Sequence, residues 1–152
     1  LITVFWGQGV LAWIVSAPLL AAMDGRENLG WLGFLGITAW AIGIFFEAVG
    51  DWQLSYFKKN PANKGKVLDS GLWHLTRHPN YFGDFMVWWG LFLIAADAGG
   101  WWSAYGPIVM SVMLMRVSGV TPLERKLTKT RSGYEHYVRT TNAFFPGPKK
   151  RT

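Results

Sequence analysis

The stretch LWHLTRHPNYFGDFMVWWG, residues 72–90, sets Arg77, His78, Asn80 and Asp84 against the start of an apolar run. Ionisable groups at such a boundary are costly in hydrocarbon unless they are paired or wetted. Their placement therefore depends on what surrounds the run. Outward from it, the apolar residues are gathered into blocks, and residues 1–23 and 30–46 carry no charge at all. Two further runs, 85–96 and 101–115, are shorter. A bilayer core of about 30 Å needs roughly 20 helical residues, so these two reach that length only if 80–84 and 116–120 lie inside the helices. A soluble domain of 152 residues, 51% of them hydrophobic with 10 Trp and 10 Phe, could not cover four such runs. The expectation is an all-α, polytopic integral membrane helix bundle, 1–152 as one membrane domain, with about four transmembrane helices and a short helix at the cytoplasmic face.

Charge placement orients the bundle. Of 15 basic residues, five lie in 51–79 (Lys58, Lys59, Lys64, Lys66, Arg77) and nine follow from Arg116 onward. Four spans put those two regions on one side, and the positive-inside tendency makes it cytoplasmic, or the matching face of an organelle membrane. The connections 24–29 and 97–100 are short and nearly free of Lys and Arg. A net charge of +6 with no soluble basic module disfavours nucleic acid and suits lipid head groups or a phosphorylated small molecule. There is no cysteine, which excludes disulfides and thiolate metal sites. The chain opens with Leu and lacks a signal-peptide pattern, so it is expected to begin partway into a longer protein.

Two loops punctuate the cytoplasmic side. KKNPANKGKVLDSG holds Pro61, two Gly and two Asn, and reads as an ordered turn region or a mobile lid. A short basic helix over 121–130 follows the fourth run, with Thr121 as N-cap, Pro122 at the first helical position and Glu124 three residues after the cap.

The polar residues fall into vertical pairs. Glu47 and Asp51 are four apart on one face of the second span, with Ser55 and Lys58 continuing the stripe. Asn80 and Asp84 repeat that spacing on the third. The two pairs meet only if the helices are neighbours, and they would then surround a wet chamber open to the basic side. Arg116 ends the fourth run and offers a guanidinium fork for phosphate or carboxylate. Tyr134, Tyr137 and Arg139 bring aromatic faces beside a cation, suited to a flat heterocycle. A blander account has Arg77 and His78 snorkelling, Asn80 capping a helix, and Tyr81 and Trp88 in an interfacial aromatic belt. No G-x-G-x-x-G follows a strand and no P-loop is present, so a soluble nucleotide fold is excluded.

RHPNYFGD, preceded by FEAVGDWQLSYFKKNPANKGKVLDSGLW and followed by LERKLTKTRSGYEHYVRTTNAFFP, resembles the C-terminal part of the uncharacterised membrane proteins grouped with steroid 5α-reductases, over about 41–146. The wider superfamily includes sterol reductases, isoprenylcysteine carboxyl methyltransferase and phospholipid methyltransferases. They share Arg-His-Pro-x-Tyr-x-Gly, here Arg77, His78, Pro79, Tyr81 and Gly83. Resemblance to the reductase branch implies NADPH held by Asp51, Lys58, Asn80, Asp84 and the region from Arg116 to Arg139, including Glu124 and Arg125. It implies reduction of a carbon–carbon double bond in a steroid-like or enone lipid. Resemblance to the methyltransferase branch implies S-adenosylmethionine held by Arg77 and His78, with Glu124 facing its positive end. Arg125 and Lys126 follow Glu124 where that branch is Glu-rich, which favours the reductase. A third expectation is a non-catalytic subunit of a larger membrane assembly. Beyond Thr3 near its start, the first span offers only Gln8 and Ser16 as polar side chains, so the resemblance brings no proton donor with it.

Overall fold

The structure is a computed structural model that describes residues 2–23, 28–117 and 119–150. Residues 24–27 of the first connection, Ser118 between the fourth run and the basic helix, and the last two residues of the basic tail lie outside the described residues. Every regular element among those described is helical. The chain divides into two compact units, Leu1–Ile42 with Phe85–Val112, and Gly43–Asp84 with Met113–Thr152.

In the first unit, helices α1 (Ile2–Val15) and α2 (Ala17–Met23) meet at a bend of 41°. Pro18 lacks an amide donor, and the Ser16 hydroxyl donates to the Trp13 carbonyl at 2.9 Å, which weakens the helix ladder at that point. The bend packs on the start of α6 (Tyr105–Val112), where a Cβ on Gly106 would lie 2.8 Å from the Val15 carbonyl oxygen. Helix α3 (Trp31–Lys59) contributes its first twelve residues here and α5 (Pro79–Asp97) its last thirteen. They cross at Gly90, whose missing Cβ leaves room for the Trp40 amide and the Gly36 carbonyl. Small residues let backbones approach in this way where lipid gives helices no hydrophobic reason to associate. Asp97 accepts a hydrogen bond from the Gly30 amide and so sits at the positive end of α3.

The second unit holds the remainder of α3, a 3-10 turn at Pro61–Asn63 capped by the Asn60 side chain, and α4 (Leu72–Leu75). It continues with the first turns of α5, a π turn at Met113–Val117, α7 (Val120–Thr130), α8 (Tyr134–Thr140) and the tail. Gly71 starts α4 at φ +63, a conformation that glycine adopts without strain, and the Leu72 amide after it donates to Gln53 Oε1 at 3.0 Å. The start of α7 differs from expectation. Its N-cap is Gly119, and the Thr121 hydroxyl donates to the Met115 carbonyl at 2.8 Å instead of accepting from the helix. The π turn frees that carbonyl, and the side chain takes it.

Among the described residues two stretches are long and apolar enough to cross a membrane, Trp31–Lys59 and Trp101–Thr130, and α1 with α2 adds a third if the bent pair is one span. Helix α5 does not qualify, because Pro79, Asn80, Asp84 and Asp97 dilute the apolar character of its 19 residues. Of the four spans expected, length and composition thus bear out two among the described residues, or three with the bent pair. At about 1.5 Å per residue α3 alone is roughly 43 Å long, which exceeds the hydrocarbon thickness.

Candidate functional site

The candidate site belongs wholly to the second unit, and its foundation is the segment Thr76–Pro79 between α4 and α5. Thr76 is extended and buried, and its hydroxyl donates to the Phe144 carbonyl at 2.7 Å. The Arg77 amide donates to the Asn142 carbonyl at 2.9 Å, so the tail clips this turn from outside. The Arg77 side chain, 6% exposed, points inward. Its Nε donates to Glu124 Oε1 at 2.7 Å and its Nη2 to Glu124 Oε2 at 3.1 Å, a two-pronged contact of the kind only a guanidinium makes. Its Nη1 donates to the carbonyls of Val138 (2.9 Å) and Thr141 (2.6 Å) at the end of α8, where helix carbonyls lack partners. His78 Nε2 meets Glu124 Oε1 at 3.0 Å, and the His78 ring stacks on Tyr81 at 5.6 Å and 6°. The Tyr137 hydroxyl donates to the Trp73 carbonyl at 2.5 Å. One carboxylate and one guanidinium thereby join α4, α5, α7 and α8.

Against this knot opens a cavity of about 420 Å³, within the roughly 300–1,000 Å³ range of small-molecule sites. One wall comes from the end of α3 and the loop after it, including Phe57, Lys58, Lys64, Lys66 and Val67. The facing wall comes from α7 and α8, through Leu123, Leu127, Arg131, Tyr134 and Tyr137, and Trp73, Arg77 and His78 close the back. Arg131 Nη1 donates to the Lys66 carbonyl at 3.3 Å, which ties the two walls together. Lys58, Lys64 and Lys66 are exposed, and no Asp or Glu is among the described lining residues. The charged side chains of the described lining are therefore all basic. Burial, with Glu124 nearby, pushes the Tyr134 hydroxyl up to about 12, and burial raises Tyr137 as well, so both stay protonated donors at physiological pH.

Of the residues singled out in the sequence, Lys58, Arg77, His78, Tyr134 and Tyr137 line this cavity. The vertical pairs on α3 and α5 do meet: Asn80 Nδ2 donates to Asp51 Oδ1 at 2.9 Å, and Gly83 lies under the Glu47 backbone. They meet outside this cavity, whose lining includes none of Glu47, Asp51, Asn80 and Asp84. Asn80 is bonded across helices and is not a cap. Tyr81 stacks on His78, Glu124 sits behind the wall, and Arg116, Arg125 and Arg139 are exposed elsewhere on the unit. The sequence does not single out Lys64, Lys66 and Trp73 for the site, and it offers Arg131 only as part of the region from Arg116 to Arg139. The i, i+4 pair Leu123 and Leu127 was the signal that α7 turns an apolar face inward. In the first span Gln8 is exposed and the Ser16 hydroxyl is bonded to its own helix.

Comparison with known proteins adds the following. A family described as "Protein of unknown function (DUF1295)" matches residues 1–141. The Probable O-methyltransferase ustE of Ustilaginoidea virens is 45% identical over 53 residues, 35% of this chain and 18% of the relative. The Steroid 5-alpha-reductase DET2 of Gossypium hirsutum is 35% identical over 66 residues, 43% of this chain and 26% of the relative. The Delta(14)-sterol reductase ERG24 of Candida albicans is 32% identical over 94 residues, 52% of this chain and 21% of the relative. The chain therefore spans between 18% and 26% of the length of these relatives. No solved structure matches it.

Proposed function

The chain belongs to the DUF1295 family, and from that premise we propose that it works as a membrane-embedded, NADPH-dependent reductase of a carbon–carbon double bond in a lipid-like steroid or enone substrate. The observation that carries the proposal is the cavity: its lining joins exposed Lys58, Lys64 and Lys66 and half-buried Arg131 with more buried aromatic side chains, and no carboxylate is in its described lining. That donor set fits a dinucleotide with several phosphates. Lys58, Lys64, Lys66 and Arg131 would neutralise phosphate oxygens at the rim, while Trp73, Tyr134 and Tyr137 offer faces to flat rings. Bound NADPH supplies the hydride. The protein's own part is orientation. The knot of Arg77, Glu124 and His78 fixes the back wall, and the Tyr137 bond to the Trp73 carbonyl holds α8 against α4. Two relatives named as reductases of steroid and sterol support the substrate class. In this reading residues 41–146 carry the cofactor region, the basic loop and tail face the cytoplasm, and the apolar substrate arrives from the lipid.

A second reading, an S-adenosylmethionine-dependent methyltransferase of a lipid or prenyl thiol, is favoured by the 45% identical stretch shared with a relative named as a probable O-methyltransferase. Against it, both oxygens of Glu124 accept hydrogen bonds from Arg77 or His78, so that carboxylate does not face a ligand's positive end. A third reading, a non-catalytic subunit, expects the cavity to be collapsed or filled by lipid, and a volume of about 420 Å³ weighs against the first of these.

Titration of the purified full-length protein in detergent, followed by calorimetry, separates the three. The reductase reading expects NADPH to bind, Lys66→Ala with Arg131→Ala to weaken it about tenfold or more, and S-adenosylhomocysteine to give no heat. Protein that ignores millimolar NADPH yet binds S-adenosylhomocysteine would move the assignment to the methyltransferase. Protein that binds neither would favour the subunit.

A further inference from the structure

Most of the polar side chains at the back of the cavity are already engaged. Arg77 and His78 hold Glu124, and the Tyr137 hydroxyl donates to the Trp73 carbonyl. Tyr134 is the exception. It is 3% exposed, it lines the cavity, and its hydroxyl has no hydrogen-bond partner among the described residues. A phenol can donate one hydrogen bond and accept others, and leaving it dry and unpaired is unfavourable. Its ring stands edge-on to Tyr137, with centroids 5.8 Å apart at 61°, which holds the ring in place. The Thr141 hydroxyl is also buried and unpartnered but does not line the cavity, so an unpaired hydroxyl on its own does not point to a ligand here. In Tyr134 a buried, unpaired hydroxyl belongs to a side chain that lines the cavity.

The cavity is also graded. Exposed Lys58, Lys64 and Lys66 stand at the rim, while Trp73, Tyr134 and Tyr137 lie further in. A phosphate gains from cations that remain wet and loses if it is buried, whereas a planar heterocycle gains from aromatic walls. Resting on the reading of this cavity as a nucleotide site, we propose that Tyr134 is its inner specificity residue, donating a hydrogen bond to a neutral acceptor, a ring nitrogen or carboxamide oxygen, on a planar ring whose phosphates stay at the lysine rim. Burial keeps the phenol protonated to about pH 12, so it remains a donor across the working range. The ligand class is thus a phosphorylated compound that inserts its ring first.

The test uses full-length protein in detergent with three probes: NADP⁺, ATP as a simpler purine phosphate, and pyrophosphate, which has no ring. Tyr134→Phe is compared with wild type and with Thr141→Val as a control for removing a buried hydroxyl. Tyr134→Phe is expected to melt higher than wild type without ligand, to bind NADP⁺ about tenfold more weakly, the weight of one hydrogen bond, and to bind pyrophosphate unchanged. Thr141→Val is expected to melt higher with all three affinities unchanged. Wild-type affinity for NADP⁺ in Tyr134→Phe overturns the inference and leaves the dinucleotide reading standing. A Tyr134→Phe protein that melts lower or does not fold also overturns it, because the hydroxyl then has a structural partner. If wild type binds ATP but not NADP⁺, and Tyr134→Phe weakens ATP, the inference stands and the NADPH reading falls. If neither ring-bearing probe binds wild type, both fall.

Discussion

The two compact units hold themselves together by different means. In the first, α3 and α5 meet backbone to backbone across Gly36, Trp40 and Gly90, and side-chain bonds between its elements include Trp89 to Ser111 and Asp97 to Gly30. Its large apolar side chains, Phe5, Trp6, Trp31 and Phe34 among them, are exposed, as suits a surface whose solvent is lipid. In the second, α4, α7 and α8 are only four to eleven residues long and the segments between them are irregular. Such segments cannot satisfy their own carbonyls, so Thr76, Arg77 and Tyr137 reach across to do it. Close packing suffices where helices are long. Around the short α4, α7 and α8 polar side chains take over, and a cavity lined by apolar, aromatic and basic side chains opens beside them.

The sharpest way to break this contrast is to cut the second unit's knot. Glu124→Ala leaves the Arg77 guanidinium buried without its carboxylate and is expected to destabilise by about 3–5 kcal/mol, read as a lower unfolding midpoint in detergent. Arg77→Lys is expected to fare little better, since an ammonium cannot bond both Glu124 oxygens and two carbonyls in one plane. A loss below about 1 kcal/mol, the range of an exposed pair, would mean that packing holds this unit too.

Glycines sharpen the comparison from the other side. A Cβ on Gly83, in the second unit, would lie 2.5 Å from the Glu47 amide nitrogen and 2.6 Å from the Gly43 carbonyl oxygen. On Gly90, in the first, it would lie 2.6 Å from the Trp40 amide nitrogen and 2.7 Å from the Gly36 carbonyl oxygen. Backbone cannot move aside as a side chain can, so Gly83→Ala and Gly90→Ala are each expected to cost about 1–3 kcal/mol. Equal losses would show that both units share the α3–α5 contact and differ only in what is added to it. A smaller effect is expected at the polar bridge between the same helices. Asn80→Ala removes one partly exposed hydrogen bond to Asp51 and should cost about 1 kcal/mol in the same unfolding measurement.

That bridge was legible in the sequence, because residues four apart share a helix face and the pairs 47/51 and 80/84 carry matching chemistry. The membrane character and the helical fold were legible for the same reason: apolar blocks of 17 to 23 residues have few other uses. The break at Ser16 was not, since block hydropathy averages over a single proline and a single hydroxyl. Nor was the partnership of Arg77 with Glu124, 47 residues away, where only the folded chain reveals which of many carboxylates a cation meets. The loop after α3 showed its turns through Pro61 and its glycines, but nothing in its composition says that Lys64 and Lys66 face Leu123 and Leu127.

The smallest expected effect separates the cations of the cavity from those that merely share its side of the chain. Arg116, Arg125 and Arg139 are exposed and absent from the described lining. Each single change to Ala should alter stability by no more than about 0.5 kcal/mol. Their influence on a bound phosphate is that of charges in water, screened over about 8 Å at physiological salt. The triple variant should therefore hold NADPH within about twofold of wild type at that ionic strength, while a change at Lys66 with Arg131 weakens it far more. If instead the triple variant loses as much affinity as the cavity pair, and loses it still at high salt, recognition is spread over the whole basic face. The carboxylate-free cavity would then be one part of a larger binding surface, and the second unit's polar knot would serve to hold that face in place more than to shape a pocket.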